Sequence, residues 1–316
     1  MSNSWNIDSS HGGEGWVQRP TNHNGDIGTI WTKCGVNSEY GALRKVILHI
    51  PGEELTTVTN PKTVDWYALV DKEKAICQMS NLMDVYQNHG VEVALLSPRL
   101  NPRPNHLFVR DLFTMTPSGA IVSRMASHAR MGEELDMAAA LSREKIPILT
   151  TIHGEGTFEG PDLLFFKPDR AFVANSVRSN KGGVDQVRAL LKLQGIDVVD
   201  AQTVYGCGHL DGVISLLRDD LALIHPKRVS YTVCKELIRS GYQVVELPSR
   251  DEAENNMAIN MVSINRCTAL IPKGNPETFA LLKRHDIAPI EIDLSEVMKA
   301  GGGIHCVTGV VHRDMQ

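Results

Sequence analysis

Residues 72–96, KEKAICQMSNLMDVYQNHGVEVALL, contain the pattern that decides the fold of this chain. Apolar side chains recur every three or four positions across Lys72–His89, which predicts an amphipathic helix. Gly90 follows as the residue type that most often ends a helix, and Val91–Leu96 then has the composition of a strand. The stretch is therefore predicted to be one helix–glycine–strand unit.

The same unit recurs along the chain, in LQGIDVVD at residues 193–200 and in RSGYQVVEL at residues 239–247. Further helices are predicted at Glu133–Glu144, Gly183–Gln194, Val229–Ser240 and Pro276–His285. Further strands are predicted at Lys45–His49, Ala120–Ser123, Ala171–Asn175, Leu221–His225, Gln243–Glu246, Ala269–Pro272 and Ala288–Ile292. The sequence thus predicts an α/β fold made of a repeated module. A nucleotide-binding doubly wound sheet is not supported, because no GxGxxG opens a helix after a strand.

The chain is predicted to have one large domain and an N-terminal arm. Residues 1–36 are rich in Gly, Asn, Ser and Thr, which predicts an irregular arm that is disordered or lies over the body as a lid. Residues 37–316 keep a regular helix and strand texture and are predicted to form a single compact domain. The Pro-rich segment Ser97–Pro104 is predicted to connect two modules.

Composition excludes several classes of function. The 32 basic and 37 acidic side chains leave a net charge of −5, and no basic run suits nucleic acid or an anionic membrane. The first residues lack a secretory signal and no stretch is long enough to span a membrane, so we expect a cytoplasmic protein. Six scattered cysteines, without CxxC or HExxH, predict free thiols and no metal site. Self-association into a homo-oligomer is left open.

Five short segments combine ionisable residues with apolar or glycine neighbours, where strands are predicted to end. They are residues 105–111 (NHLFVRD), 158–162 (FEGPD), 207–212 (CGHLDG), 255–260 (NNMAIN) and 301–306 (GGGIHC). Charged groups in such surroundings are either buried with partners or face a cavity. The segments are therefore the candidates for a functional site.

Two of these segments suggest nucleophilic and acid–base chemistry. In GGGIHC, the glycines would present Cys306 on a flexible, open loop where a thiolate could act as a nucleophile. In GHLDG, an extended backbone would place His209 and Asp211 on one face as an acid–base pair. The alternatives remain open at this point: Cys306 as a buried residue before a last strand, and His209 with Asp211 as an ordinary hydrogen-bonded pair.

The FEGPD segment places two carboxylates before an apolar run. Glu159 would be costly to bury unless it bound a cation, and a guanidinium is one such cation. For Asp162 the preferred interpretation is a capping residue in a Gly-Pro turn.

Taken together, the five segments resemble the superfamily of guanidino-group-modifying enzymes. This superfamily includes arginine deiminases, dimethylarginine dimethylaminohydrolases, agmatine deiminases and amidinotransferases. The resemblance covers about residues 38–312 and begins with SEYGALRKVIL at residues 38–48. It implies the pentein fold, an α/β-propeller of five ββαβ-type modules around a pseudo-fivefold axis. It also implies an enzyme that uses no cofactor and no metal.

The resemblance implies catalytic roles for five residues. Cys306 would attack the guanidinium carbon and form a covalent thiouronium intermediate. Asp111 and Asp211 would hold the guanidinium nitrogens, and Glu159 would hold the guanidinium and help to position His209. His209 would protonate the departing amine and then activate the water or amine that resolves the intermediate.

Three further positions match residues that hold the substrate in arginine deiminases. Arg130 and Arg178 would clamp a substrate carboxylate, because paired guanidiniums suit bidentate recognition of that group. Asn105 would lie near the same site. The resemblance therefore implies that the partner is a small guanidino amino acid.

The second half of the reaction stays open between two functions. The compact length and the PNHLFVRD segment favour a hydrolase, in which water resolves the intermediate. The ending HCVTGVVHR is closer to amidinotransferases, in which an amine takes the amidino group. A third interpretation, a pentein that only binds its partner, is weakened because Cys306, His209 and Glu159 are all present.

Overall fold

The computed structural model describes residues 7–98 and 102–316, so the predicted connection Ser97–Pro104 lies partly outside the described residues. The strands are β1 (Leu43–Leu48), β2 (Glu92–Leu95), β3 (Phe113–Thr116), β4 (Gly119–Val122), β5 (Ile148–Thr151), β6 (Leu163–Lys167), β7 (Arg170–Asn175), β8 (Asp197–Gln202), β9 (Ile214–Leu216), β10 (Leu221–Ile224), β11 (Gln243–Glu246), β12 (Val262–Asn265), β13 (Thr268–Pro272), β14 (Ala288–Ile292) and β15 (Gly309–Arg313). The helices are α1 (His23–Asp26), α2 (Lys72–Asn88), α3 (Val109–Leu112), α4 (Glu133–Arg143), α5 (Lys181–Leu193), α6 (Tyr231–Arg239), α7 (Arg250–Asn255), α8 (Pro276–Arg284) and α9 (Ile304–Val307).

In the part of the chain that the structure describes, the strands form five sheets of three strands each. Their orders are β15-β1-β2, β3-β4-β5, β6-β7-β8, β9-β10-β11 and β12-β13-β14. In every sheet the middle strand is antiparallel to the first strand and parallel to the third, which it reaches through a helix. The predicted α/β class and the repeated module are therefore confirmed.

Helix α2 shows why the local pattern was informative. The Asp71 side chain accepts a hydrogen bond from the Lys74 backbone N–H at 3.0 Å and caps the first turn. The buried face is formed by Ala75, Met79, Leu82 and Tyr86, whose spacing of three and four residues matches one side of a helix. Gly90, with φ of 73°, ends the unit in the left-handed conformation that favours glycine.

The two ends of the chain meet in one sheet. Strand β15 pairs antiparallel with β1, with Leu43 opposite Arg313 and Ile47 opposite Gly309. The last strand thus completes the sheet that begins the fold. Cys306 lies three residues before β15 and is held in place by this pairing.

Each of the five polar segments lies after the third strand of one module and before the first strand of the next, in agreement with the expectation that they lie where strands end. Asp111 precedes β3, Glu159 precedes β6, His209 precedes β9, Asn260 precedes β12 and Cys306 precedes β15. Because each first strand is antiparallel to its middle strand, its start lies beside the end of that strand. The polar segments therefore lie at the edge of each sheet where the middle strand ends.

The described part of the arm packs away from the polar segments. His23 Nε2 lies 2.7 Å from the Ser118 carbonyl, and the Thr32 N–H donates to the Lys145 carbonyl at 3.0 Å. Gly35 exchanges backbone hydrogen bonds with β15, so the chain joins the body at about residue 35. The domain boundary at residue 37 remains a prediction.

Within the described ranges, 7–98 and 102–316, no helix combines the length and the apolar character needed to cross a membrane.

Candidate active site

A cavity of about 590 Å³ lies where the polar segments meet. Seven of the eight predicted site residues line it: Asn105, Asp111, Arg130, Arg178, His209, Asp211 and Cys306. The eighth, Glu159, is fully buried directly behind His209. A concave site of this size with convergent polar groups is typical of an enzyme that acts on a small molecule.

The loop that carries Cys306 is tightly packed, so the expectation of a flexible, open loop was wrong. A Cβ atom on Gly302 would lie 2.5 Å from the Phe108 ring and 2.9 Å from Cys306 Cβ. Gly301 has φ of 97°, which also favours glycine. The glycines allow the backbone to approach its neighbours and deliver Cys306 on α9, the short helix that follows.

The Cys306 thiol is half-buried and lies in a negatively charged environment. Its Sγ atom accepts a hydrogen bond from Asn260 Nδ2 at 3.0 Å. Burial, together with the carboxylates of Asp211 and Asp111, raises the pKa of Cys306 to about 12. At neutral pH the protein alone therefore holds Cys306 as a thiol.

His209 and Glu159 form a buried hydrogen-bonded pair. His209 Nε2 lies 2.8 Å from Glu159 Oε2, and His209 Nδ1 lies 4.0 Å from Asp111 Oδ1. Burial alone would lower the pKa of His209, but the carboxylates of Asp111 and Glu159 outweigh it and raise the pKa to about 9. Burial would raise the pKa of Glu159, yet the His209 hydrogen bond and the nearby arginines lower it to about 2. The pair is thus an imidazolium beside a carboxylate.

His209 and Asp211 do not share the face of an extended segment, which corrects that expectation. His209 directly precedes a short 3₁₀ turn over Leu210–Gly212, and the two side chains have different partners. Asp211 Oδ2 lies 3.0 Å from His305 Nδ1 and 3.6 Å from Arg110 Nε. Burial would raise the pKa of Asp211, but these partners lower it, so Asp211 is ionised.

Asp111 presents one oxygen to the site and keeps the other for an arginine. Arg130 Nη1 donates a hydrogen bond to Asp111 Oδ2. Asp111 Oδ1 is buried without a hydrogen-bond partner in the described structure. It is therefore a free acceptor on the cavity wall.

The proposed pair of carboxylate-binding arginines is not symmetrical in the structure. Arg130 is buried, with Nε donating to Glu133 Oε2 at 2.9 Å and Nη2 donating to the Asn105 carbonyl at 3.2 Å. Its guanidinium is thus shared between Asp111 and Glu133 rather than directed at a separate carboxylate site. Arg178 is more exposed, and its Nη1 lies 3.7 Å from Glu159 Oε1.

Asn105 has a different environment from the one expected of a substrate-binding amide. Its Oδ1 accepts a hydrogen bond from Trp66 Nε1 at 2.6 Å, and its Nδ2 donates to the Val64 carbonyl at 2.9 Å. Both ends of the amide are satisfied by the protein. The side chain therefore anchors the loop at Val64–Trp66 to the wall of the cavity.

Asp162 is more than a turn residue. It accepts hydrogen bonds from the Leu210 N–H at 3.0 Å and from Ser176 Oγ at 2.6 Å. Burial raises its pKa to about 6. Asp162 therefore links the segment of Glu159 to those of His209 and Arg178.

Four residues of the site were missed at the sequence level: Glu133, Arg110, His305 and Asn260. The last three lie inside segments that were singled out, so the segments were correct but the choice of side chain was incomplete. Glu133 begins a predicted helix, where an acidic residue is common, and nothing local distinguishes it.

The sequence of this chain is similar to that of a known enzyme family. The family described as "N,N dimethylarginine dimethylhydrolase, eukaryotic" matches residues 56–313. The chain belongs to this family. One relative is the N(G),N(G)-dimethylarginine dimethylaminohydrolase of Pseudomonas aeruginosa, which is 27% identical over 240 residues, covering 75% of this chain and 89% of the relative.

Two solved structures share the fold of this chain. A structure of the P. aeruginosa enzyme complexed with citrulline has a TM-score of 0.72 and 24% identity, and the match covers 85% of this chain and 99% of that one. An amidinotransferase of saxitoxin biosynthesis from Microseira wollei has a TM-score of 0.74 and 16% identity, with coverage of 90% and 98%. Dimethylarginine dimethylaminohydrolases are among the guanidino-modifying enzymes that the motifs resemble, so the family match confirms that resemblance.

Proposed function

We propose that this protein hydrolyses the guanidino group of arginine or an N-substituted arginine through a covalent intermediate on Cys306. The observation that carries the proposal is the single cavity in which the Cys306 thiol, the His209–Glu159 pair and two buried carboxylates converge. Membership of a family described by a dimethylarginine hydrolase supports hydrolysis. Citrulline, which is bound in the P. aeruginosa structure, is the ureido product expected from such a reaction.

The substrate cation is proposed to create the nucleophile. A guanidinium bound by the free Asp111 Oδ1 and by Asp211 would offset the two carboxylates that raise the pKa of Cys306. A cation close to a thiol favours the thiolate, because opposite charges attract strongly in a buried site. Binding would therefore convert an unreactive thiol into a thiolate next to the guanidinium carbon, and the thiol proton would pass to solvent water.

The protonated His209 is proposed to be the general acid of the first step. Sγ forms a bond to the guanidinium carbon, and the bond from that carbon to the leaving nitrogen breaks as His209 supplies a proton to it. His209, now neutral, takes a proton from the water that attacks the thiouronium carbon. The C–S bond then breaks, the Cys306 thiolate leaves and takes up the remaining hydroxyl proton, and the ureido product is released.

The remaining residues have different tasks in this proposal. Arg130 bonds to Asp111 and balances its charge, and Glu133 holds Arg130 in place. Asn105 shapes the wall, and Arg178 is the arginine proposed to contact the substrate carboxylate. The ligand is a small guanidino amino acid, and neither nucleic acid nor a membrane is part of the proposal.

We also propose that the five modules form an α/β-propeller around a pseudo-fivefold axis. Two observations support this arrangement: each sheet has the same strand order, and β15 joins the last segment of the chain to the first sheet. A ring closed in this way would bring the starts of all five first strands to one place. A cytoplasmic location and a single catalytic domain over residues 37–316 are part of the same proposal.

Incubation with a panel of guanidino compounds tests hydrolysis against amidino transfer. The pure protein is given arginine, N-methylated arginines or agmatine, with and without glycine or lysine as acceptor, and the products are identified by mass spectrometry. A ureido product without acceptor supports the proposal. Product formation that requires an acceptor amine would establish an amidinotransferase instead.

Replacing Arg178 by alanine is expected to raise KM for arginine by about 10- to 100-fold with a smaller effect on kcat, because the contact is remote from the reacting carbon. Agmatine, which lacks the carboxylate, should be a poor substrate of the wild-type protein and should change little with the mutation. Arg188→Ala, on the exposed side of α5, is the matched control. Equal use of arginine and agmatine by the wild-type protein would remove Arg178 from the proposed site.

Activity is expected to survive EDTA and exhaustive dialysis. Asp111, Glu159 and His209 place ligand atoms within 4.8 Å of one another and could hold a cation. However, Arg130 already bonds to Asp111, and its Nη1 lies 4.0 Å from Glu159 Oε2, so a divalent ion would meet a like charge. Turnover is measured before and after chelation, and loss that Zn²⁺ or Mg²⁺ restores would contradict the metal-free mechanism.

A further inference from the structure

Asn260 is a buried residue of the cavity wall with two hydrogen bonds to the segment of Cys306. Its Oδ1 accepts from the His305 backbone N–H at 2.7 Å, and its Nδ2 donates to Cys306 Sγ at 3.0 Å. A backbone N–H is only a donor, so the oxygen of the amide must face His305. The nitrogen therefore has to face the sulfur.

The Cys306 loop is built around this amide. A Cβ atom on Gly303 would lie 2.8 Å from Asn260 Oδ1, so only glycine leaves room for the side chain at its observed position. Asn260 also lies just before β12, as Asp111, Glu159 and His209 lie before the first strands of their modules. The module that contains β12 thus contributes Asn260 to the cavity at the position where the others contribute reacting or binding groups.

The charges around the Cys306 sulfur explain why a hydrogen-bond donor is needed there. Burial, Asp211 and Asp111 all favour the neutral thiol, whereas the hydrogen bonds from Asn260 and from the Gly303 backbone favour the thiolate. In the described ranges, Asn260 is the one side chain that donates a hydrogen bond to Sγ. Hydrogen bonds to a charged acceptor are about twice as strong as those to a neutral one.

We propose that Asn260 is the donor that orients the Cys306 sulfur and stabilises its thiolate as the nucleophile forms. This inference deepens the proposed function, because it rests on Cys306 as the attacking group. In this proposal the module of β12, β13 and β14 takes part in the chemistry, in addition to forming part of the cavity wall.

The Asn260→Asp variant separates this role from a structural one. A carboxylate keeps an oxygen that accepts from the His305 N–H, but it puts an acceptor, not a donor, next to the sulfur. The probe is iodoacetamide, and the rate of alkylation of Cys306 is followed by peptide mass spectrometry from about pH 8 to 11. This measurement needs no turnover.

We expect the rate of Cys306 alkylation at a fixed pH to fall by at least about 100-fold in Asn260→Asp. The rate follows the fraction of thiolate, which changes tenfold for each unit of pKa. The Asn260→Ala variant, which loses the donor without adding a charge, should fall by about 10- to 100-fold. In both variants the alkylation rate is lower than that of the wild-type protein at every pH in this range, and kcat falls with it. Asn256→Asp, the same change at a residue whose amide bonds to the Gly274 carbonyl instead, should leave the profile unchanged.

An unchanged alkylation profile in folded Asn260→Asp or Asn260→Ala would overturn the proposal. Circular dichroism and thermal unfolding show which variants are folded, and Asn260→Ala decides the outcome if the aspartate variant is not. The two proposals can fail separately. If the wild-type protein hydrolyses no guanidino compound, the proposed function is contradicted. If the alkylation of Cys306 still depends on Asn260 in that case, the role of Asn260 towards the thiol stands.

Discussion

Cys306→Ala is expected to lower kcat by about a million-fold, to the background rate, while the protein stays folded and still binds substrate. A methyl group cannot form the thiouronium bond, and the rest of the cavity retains its carboxylates. The side chain removed is small and lies at the cavity surface, so the cost in the free energy of unfolding should be minor. Turnover by product analysis and substrate binding by calorimetry test the two halves of this prediction.

The matched control for this variant is Cys77→Ala, which removes an exposed thiol on α2. This change should leave kcat and KM at their wild-type values. Near-normal turnover by Cys306→Ala would mean that the nucleophile is another group, and the proposed mechanism would then be wrong.

Glu159→Gln is expected to lower kcat by about 100- to 10,000-fold and to change its pH dependence. The His209 pKa is raised above its ordinary value by Asp111 and Glu159, so the imidazolium persists up to about pH 9. Removing one carboxylate lowers that pKa. The protonated fraction is then lost at lower pH, and the alkaline limb of kcat moves toward neutrality.

The pH profile of kcat for both proteins tests this shift. Glu155→Gln, the same change at an exposed residue in a preceding turn, is the control and should reproduce the wild-type profile. A Glu159→Gln variant with an unshifted alkaline limb would show that His209 is not the acid that donates to the leaving nitrogen.

The fold was predictable where the information is local. The α2–β2 unit has a side-chain cap, a four-residue apolar stripe and a glycine end, all within one stretch of sequence. Strands such as β3, β5, β9 and β12 are as short as β2 but have no α-helix with a glycine end before them, so no neighbouring pattern indicates them. The pairing of Leu43 with Arg313 joins the two ends of the chain, and no local pattern indicates it.

The site was predictable at the level of segments rather than of side-chain roles. The motifs correctly indicated that Asp111, His209, Asp211 and Cys306 share one cavity. The direction of Arg130 depends on two tertiary partners, which a sequence does not reveal. The amide of Asn105 is likewise satisfied by residues about forty positions earlier in the chain.

The proposed mechanism depends on a covalent bond between Cys306 and the guanidino carbon. To detect this bond, the wild-type protein is quenched with acid during turnover of arginine or an N-methylated arginine. Proteolysis and mass spectrometry then locate any modification among the six free thiols. We expect an amidino adduct on the peptide that contains Cys306. The adduct should be present while substrate remains and absent after the substrate is consumed. Continued turnover with Cys306 unmodified at every quench time, or an adduct on Cys207 instead, would contradict the proposed mechanism.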